Sequence, residues 1–273
     1  MIAEKALEIR RLILKIACFG GGGHIAPALS MADIMAVLYF DDVLRYDAKN
    51  PTWNERDIFI LSKGHACLAL YATLALAGYF PQEDLRGFLH IGLNLGGHPD
   101  MHKIPGVEAS TGALGHGLLF AVGVAIANKL DNRPGQVYVV LGDGECEEGS
   151  VWEGFMSAVY HKLDNLVIIV DHNKFQAMDT LESIMGLRDL AGKLTAMGLS
   201  VEEMDGHNHS AVKEALIRRE QGKPRAIIAH TIKGKGISFM ENKPLWHCRM
   251  PNEAELDIAL SDLQMTREEL TKL

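Results

Sequence analysis

The sequence predicts an α/β protein built on a parallel sheet with helices on both faces, a three-layer arrangement. Two apolar runs carry most of that expectation. Val137–Leu141 reads Val-Tyr-Val-Val-Leu and Leu166–Val170 reads Leu-Val-Ile-Ile-Val. Near-continuous apolar strands of this kind belong to sheets buried on both sides. Between them Ser150–Leu163 has helical spacing, so the three segments form one strand–helix–strand unit whose crossover is right-handed. The same alternation of strand and helix continues to the end of the chain, which is the pattern of a covered parallel sheet.

Taken in order, Ile2–Cys18 and Met31–Leu44 have helical period, with Ser30 as the expected N-cap of the second. Asp57–Leu61 reads as a short strand, followed by a helix through Ala77. From Phe88 to Gly117 the chain is rich in Gly, His and Pro with little periodicity, and a loop of that length within a compact domain is usually functional. Gly117–Leu130 is apolar or small until Asn128 and reads as a buried helix. After the central unit come a helix over Leu187–Met197, a strand over Leu199–Met204, a helix over Ala211–Gln221 and a strand over Arg225–Thr231. A loop rich in Gly and Lys spans Lys233–Lys243, and a terminal helix starts at Asn252. No linker or repeat divides the chain, so a single domain over residues 1–273 with a C-terminal helical extension is expected.

Composition narrows the function. With 48% hydrophobic and 23% charged residues, the chain is an ordinary globular one. Its net charge is −8, from 27 Lys+Arg against 35 Asp+Glu, which speaks against a general nucleic-acid binder. Four scattered cysteines form no C-x-x-C pair, so reduced thiols are expected rather than disulfides or zinc. The amino-terminal residues interleave charges with apolar positions and lack a signal-peptide core. No stretch approaches the roughly 20 apolar residues needed to cross a bilayer. A cytoplasmic protein without membrane attachment is expected.

The first strand of the central unit ends in Gly142-Asp143-Gly144 and the second in Asp171-His172-Asn173-Lys174. Asp143 and Asn173 lie 30 positions apart, so both strand ends should reach the same sheet edge, where open α/β folds bind ligands. A carboxylate and an amide carbonyl would converge there, both hard oxygen donors suited to Mg²⁺ on a diphosphate. The flanking glycines permit close backbone approach to a phosphate. A calcium loop starting at Asp143 is excluded, because its sixth position is Glu148 rather than Gly and its twelfth is Gly154 rather than Glu. Neither a P-loop nor a Rossmann fingerprint occurs. Twelve histidines are present, and His24, His65, His98, His116 and His207 sit beside glycine in loops. Singly each is an ordinary turn residue; together they suggest a polar pocket that orients hydroxyls and moves protons. Only His207-Asn208-His209 has short ligand spacing, and without neighbouring cysteines zinc is disfavoured. Lys233-Gly234-Lys235-Gly236 reads equally well as a phosphate contact or a solvated basic turn.

Together these residues resemble the thiamine-diphosphate-binding half of transketolase, over roughly residues 5 to 250. Gly23-His24 followed by Leu29-Ser30-Met31-Ala32-Asp33-Ile34 is similar to the family's first motif, and Leu61-Ser62-Lys63-Gly64-His65-Ala66 to its second. Gly97-His98-Pro99 and Ser110-Thr111-Gly112-Ala113-Leu114-Gly115 resemble the loop that meets donor substrate and cofactor. Gly142-Asp143-Gly144 through Asn173 resembles the cofactor signature. The resemblance implies the thiamin-diphosphate-binding fold, as a diphosphate-binding domain, and thiamine diphosphate with Mg²⁺ (or Ca²⁺ or Mn²⁺) as cofactors. It places the metal on Asp143, Asn173 and the Phe175 carbonyl, with Gly142, Gly144 and His65 near the diphosphate. Gly112 and Leu114 would lie along the aminopyrimidine. His24, His98 and His247 would face the substrate, His247 the cofactor as well, and with His65 they form the expected catalytic set. Glu148 matches a glutamate that links cofactor sites across the dimer.

A complete transketolase also needs a pyrimidine-binding domain, which supplies the activating glutamate and the residues that grip sugar phosphates. The 99 residues after Lys174 cannot hold a second parallel α/β domain while finishing the first. The resemblance therefore implies a split enzyme, completed by a separate C-terminal subunit in an α₂β₂ assembly, that moves a two-carbon ketol group between sugar phosphates. The alternatives are an acyloin synthase, a 2-oxo-acid dehydrogenase component, or a cofactor-binding regulatory subunit without catalysis.

Overall fold

In a computed structural model describing residues 1–273, helices α1 (Ile2–Gly20), α2 (Ile25–Leu29) and α3 (Ala32–Phe40) precede strand β1 (Ile58–Leu61). Then follow α4 (Cys67–Leu76), α5 (His116–Leu130), β2 (Val137–Gly142), α6 (Gly149–Tyr160) and β3 (Leu166–His172). The remainder is α7 (Leu181–Ile184), α8 (Leu190–Met197), β4 (Ser200–Asp205), α9 (His209–Ile217), β5 (Arg225–His230), α10 (Glu253–Asp262) and α11 (Arg267–Leu270). The five strands form one sheet in the order β1-β2-β3-β5-β4, and every pairing is parallel.

Alternation along each strand divides the interior into two cores. Phe59, Leu61, Tyr138, Val140, Val167 and Ile169 face one core with α1, α3, α4, α9 and α10. Ile58, Ile60, Val139, Leu141, Ile168 and Val170 face the other with α5, α6 and α8. Each large apolar side chain buried this way stabilises the fold by about 1.5–3 kcal/mol, and β2 and β3 are apolar on both faces up to their carboxyl ends. The three layers anticipated from the apolar runs are therefore present.

The pairing also fixes where ligands can sit. Gly142 lies opposite Asp171, and the Asp143 N–H donates to the Asp171 carbonyl at 3.3 Å, so the tips of β2 and β3 face one edge side by side. From that edge the chain leaves β1 and β5 toward the α1/α4/α10 face, but leaves β2 and β3 toward the α6/α8 face. Diverging exits open a crevice above the carboxyl ends of the strands.

Several local expectations are corrected. Ser30 is not a helix N-cap: it closes α2, donating its hydroxyl to the Pro27 carbonyl at 3.0 Å and to Asp171 at 2.5 Å. Pro27 sits inside that short helix, where periodicity gives no sign of one. The helix expected over Met31–Leu44 stops at Phe40, and the one expected over Ala211–Gln221 runs from His209 to Ile217, capped by Asn208.

Candidate active site

A cavity of about 460 Å³ fills the crevice. Its walls include Lys63, His65, His98, Gly112, Leu114, Gly142, Asp143, Gly144, Glu148, Asn173, Phe175, Lys233 and His247. His24 stands behind them, its ring centroid 5.3 Å from that of His65, 6.4 Å from His98 and 5.2 Å from His247. Every residue that the resemblance assigns to cofactor, metal or substrate is thus within this one cavity or packed against it. Leu114 and Glu148 are at its exposed rim.

β2 and β3 supply the oxygen donors. One Asp143 carboxylate oxygen accepts from the Gly144 N–H at 2.8 Å, the other from the Lys174 N–H at 2.5 Å. Asn173 is turned by its Oδ1, which accepts from the Phe175 N–H at 3.1 Å. Burial, with the nearby Asp171 charge, pushes Asp143 up to about 7. A buried carboxyl in that condition is short of compensating positive charge, and a hard divalent cation meets that need. No group of three His, Cys, Asp or Glu side chains is arranged to hold a metal.

The segments after β1 and β5, with the turn between α1 and α2, supply the bases. Burial comes first in keeping His24, His65 and His247 below the ordinary imidazole value, and the Lys63 and Lys233 ammoniums add to it; His247 falls to about 3. These three are neutral imidazoles near pH 7, able to donate and accept hydrogen bonds to hydroxyls. His98 is set by its backbone: the Tyr71 hydroxyl lies 2.9 Å from both the Gly96 and His98 carbonyls, and Cys67 Sγ 3.2 Å from that of Gly97. Gly112, with φ of 148°, lies against the His98 ring, where an added Cβ would stand 3.0 Å from Cδ2.

The floor holds further buried polar residues, Asp171, Glu145 and Lys233, to which the sequence assigns no definite role. Asp171 is fully buried and accepts from Lys63 at 2.5 Å, from Ser30 and from Thr231. Burial alone would raise its pKa, but the Lys63 charge and these hydrogen bonds outweigh it and hold the carboxyl low. Glu145 accepts from the Ser62 hydroxyl at 2.5 Å, the Gly115 N–H at 2.9 Å and the Gly142 N–H at 3.1 Å, tying the β1, β2 and Gly115 segments together. Lys233 is not a solvated turn residue. Its ammonium is buried, donating to the Gln176 carbonyl at 2.7 Å and lying 3.0 Å from His247 Nδ1. Burial and Lys63 lower it to about 8. Its place soon after the buried strand β5 is the local feature that goes with this burial. His207 and His209 are no zinc pair, since both bind Asp33 outside the cavity.

The family described as "Transketolase, thiamine diphosphate binding domain" matches residues 3–269. Among relatives, a subunit of the apulose-4-phosphate transketolase of Actinobacillus succinogenes is 44% identical over 265 residues, 96% of each chain. The 6-deoxy-6-sulfo-D-fructose transketolase subunit SqwG of Clostridium sp. (strain MSTE9) is 41% identical over 265 residues, 96% of each chain. The solved transketolase from Leishmania mexicana superposes with a TM-score of 0.91 at 32% identity, covering 97% of this chain and 41% of that one. The chain therefore spans about two fifths of the solved transketolase, yet matches separately named transketolase subunits over nearly their whole length. It belongs to the transketolase family, a family of transferases, and carries the fold of that family's thiamine-diphosphate-binding domain.

Proposed function

We propose that this chain is the diphosphate-binding subunit of a two-chain transketolase, moving a two-carbon ketol unit between sugar phosphates or closely related sugars. The observation that carries the reading is the meeting of Asp143 and Asn173 from adjacent strand tips in one cavity with the neutral imidazoles of His65 and His247, against which His24 packs. Asp143, Asn173 and the Phe175 carbonyl would hold Mg²⁺ or a similar hard cation. Gly142, Gly144, His65 and Lys233 would receive the diphosphate, and Gly112 and Leu114 the aminopyrimidine. When bound, thiamine diphosphate supplies a nucleophilic carbon and an electron sink for C–C cleavage.

The residues of this chain do the positioning. His98 and His247 line the cavity with His24 packed near them, and the three would orient sugar hydroxyls and the donor carbonyl. As neutral imidazoles, His24 and His247 can accept a hydrogen bond at one ring nitrogen while donating from the other. Glu148, exposed at the rim, would meet a second copy of the site. A separate pyrimidine-binding subunit completes the assembly, as α₂β₂, in keeping with relatives named as transketolase subunits. A cytoplasmic location goes with this reading, supported by four unpaired cysteines. No helix is long and apolar enough to cross a membrane.

The test is ketol transfer by the purified chain, first by itself and then with a co-expressed pyrimidine-domain subunit, supplied with thiamine diphosphate and Mg²⁺. Transfer confined to the pair is the expected result. Full activity from this chain by itself refutes the two-subunit reading, and turnover of pyruvate in place of a ketose refutes the ketol assignment.

A further inference from the structure

Outside the cavity, one buried cluster of charges has no part in the chemistry described so far. Asp33 on α3 is 5% exposed. Arg10 of α1 donates to both of its carboxylate oxygens, His207 Nδ1 lies 2.7 Å from Oδ2, and His209 Nε2 lies 2.8 Å from Oδ1. The outward sides of this cluster are also occupied. His207 Nε2 accepts the Ile232 N–H at 2.9 Å, and Arg10 Nε donates to the Lys235 carbonyl at 3.0 Å. An imidazole nitrogen that accepts a backbone N–H carries no proton. His207 is therefore the Nδ1–H tautomer, which is the one Asp33 favours.

Those two backbone contacts flank Lys233. The same short segment is pinned again where the Gly234 N–H donates to the Ala26 carbonyl at 3.0 Å. Gly234 has φ of 79°, and a Cβ there would stand 2.6 Å from the Met240 carbonyl oxygen, so the turn admits glycine alone. From this segment the long Lys233 side chain runs into the cavity to Gln176 and His247. A flexible four-carbon stem delivers its charge to one place only if its base is fixed.

We infer that His207, locked by Asp33 and Arg10, is a positioning residue for Lys233 and thereby sets how tightly the site holds thiamine diphosphate. The inference rests on the cofactor reading given above. Two substitutions separate the two sides of the imidazole. His207→Gln carries an amide oxygen near the place of Nε2 and keeps the Ile232 contact. His207→Asn carries an amide near the place of Nδ1 and keeps only the Asp33 contact.

The experiment measures Kd for thiamine diphosphate with Mg²⁺ by calorimetry on the full chain with its partner subunit, in wild-type and Lys233→Met backgrounds. His207→Asn is expected to weaken binding about tenfold or more in the wild-type background, as loss of an outer-shell partner typically does. His207→Gln should keep most of the affinity, and neither change should add to the loss already caused by Lys233→Met. Equal losses in both backgrounds, or a ranking of the two variants that merely follows their melting temperatures, would overturn the inference alone. Absence of binding by the unaltered assembly would overturn it together with the cofactor reading.

Discussion

The Lys63 ammonium lies 2.5 Å from the Asp171 carboxylate beneath the cavity, and neither side chain has meaningful access to water. Two charges so placed need each other, since removing one leaves the other buried without compensation. Lys63→Met should cost about 3–5 kcal/mol in urea unfolding. Lys63→Met combined with Asp171→Leu should cost less than the two single changes summed, because no lone charge then remains. Because Asp171 is held below its ordinary value of 3.8, its share of stability is present above that pH and is lost as pH falls through the lower, folded value.

Asp143→Ala should abolish metal-dependent binding of thiamine diphosphate. Its carboxylate shares the cavity with Asn173 and Phe175 at the strand tips. Calorimetry with and without Mg²⁺ checks this, and an unchanged affinity would show that the cation sits elsewhere.

His98→Asn should slow donor turnover while leaving the melting temperature nearly unchanged. The residue is exposed, and the hydrogen bonds that fix this loop run through backbone carbonyls that the substitution leaves alone. A melting shift of many degrees would assign the ring to the fold instead.

Gly112→Ala should damage the site through both backbone and contact. Its φ of 148° strains any residue with a Cβ, and that atom would press on His98. A stability loss of about 1–3 kcal/mol is expected. Turnover should fall with it, measured on the folded fraction against His98→Asn.

His247 gives the chain a specific pH response. Its folded pKa, about 3, lies below the ordinary imidazole value of 6.5, so between those limits the unfolded chain binds a proton that the folded chain refuses. Its burial therefore costs nothing above pH 6.5 and destabilises progressively as pH falls. Lowering the pH by about 1.5 units below that value should cost wild type about 1–2 kcal/mol relative to His247→Gln, read from paired denaturation curves. Comparing the two proteins removes the opposite contribution of Asp143, whose raised pKa makes the folded chain the better proton acceptor.

The sheet is legible in the sequence because β2 and β3 are apolar on both faces, a composition that only a doubly covered strand requires. Asp143, Asn173 and the loop histidines are legible because they sit where such strands end. What stays hidden depends on partners distant in sequence. Ser30 looks like a helix cap because its bond to Asp171 spans 141 residues and leaves no local trace. Lys233 looks like a surface turn because glycines follow it, yet the crevice takes it inside. Glu145 passes for a solvated acid in an acidic run, although its oxygens satisfy three donors.

The first helix has a consequence for how the chain is made. Arg10 holds the Lys235 carbonyl, Arg11 that of Leu263 and Lys15 that of Lys272, partners 225, 252 and 257 positions downstream. α1 packs chiefly on α2, α3 and α4, which follow it closely in sequence, so its apolar face is covered early and only these polar anchors wait for the rest of the polypeptide. Closure over such separations is slow, so these anchors are late contacts. Ribosomal stalling or proteolysis before Lys235 would therefore leave a product whose earliest helix lacks these three anchors.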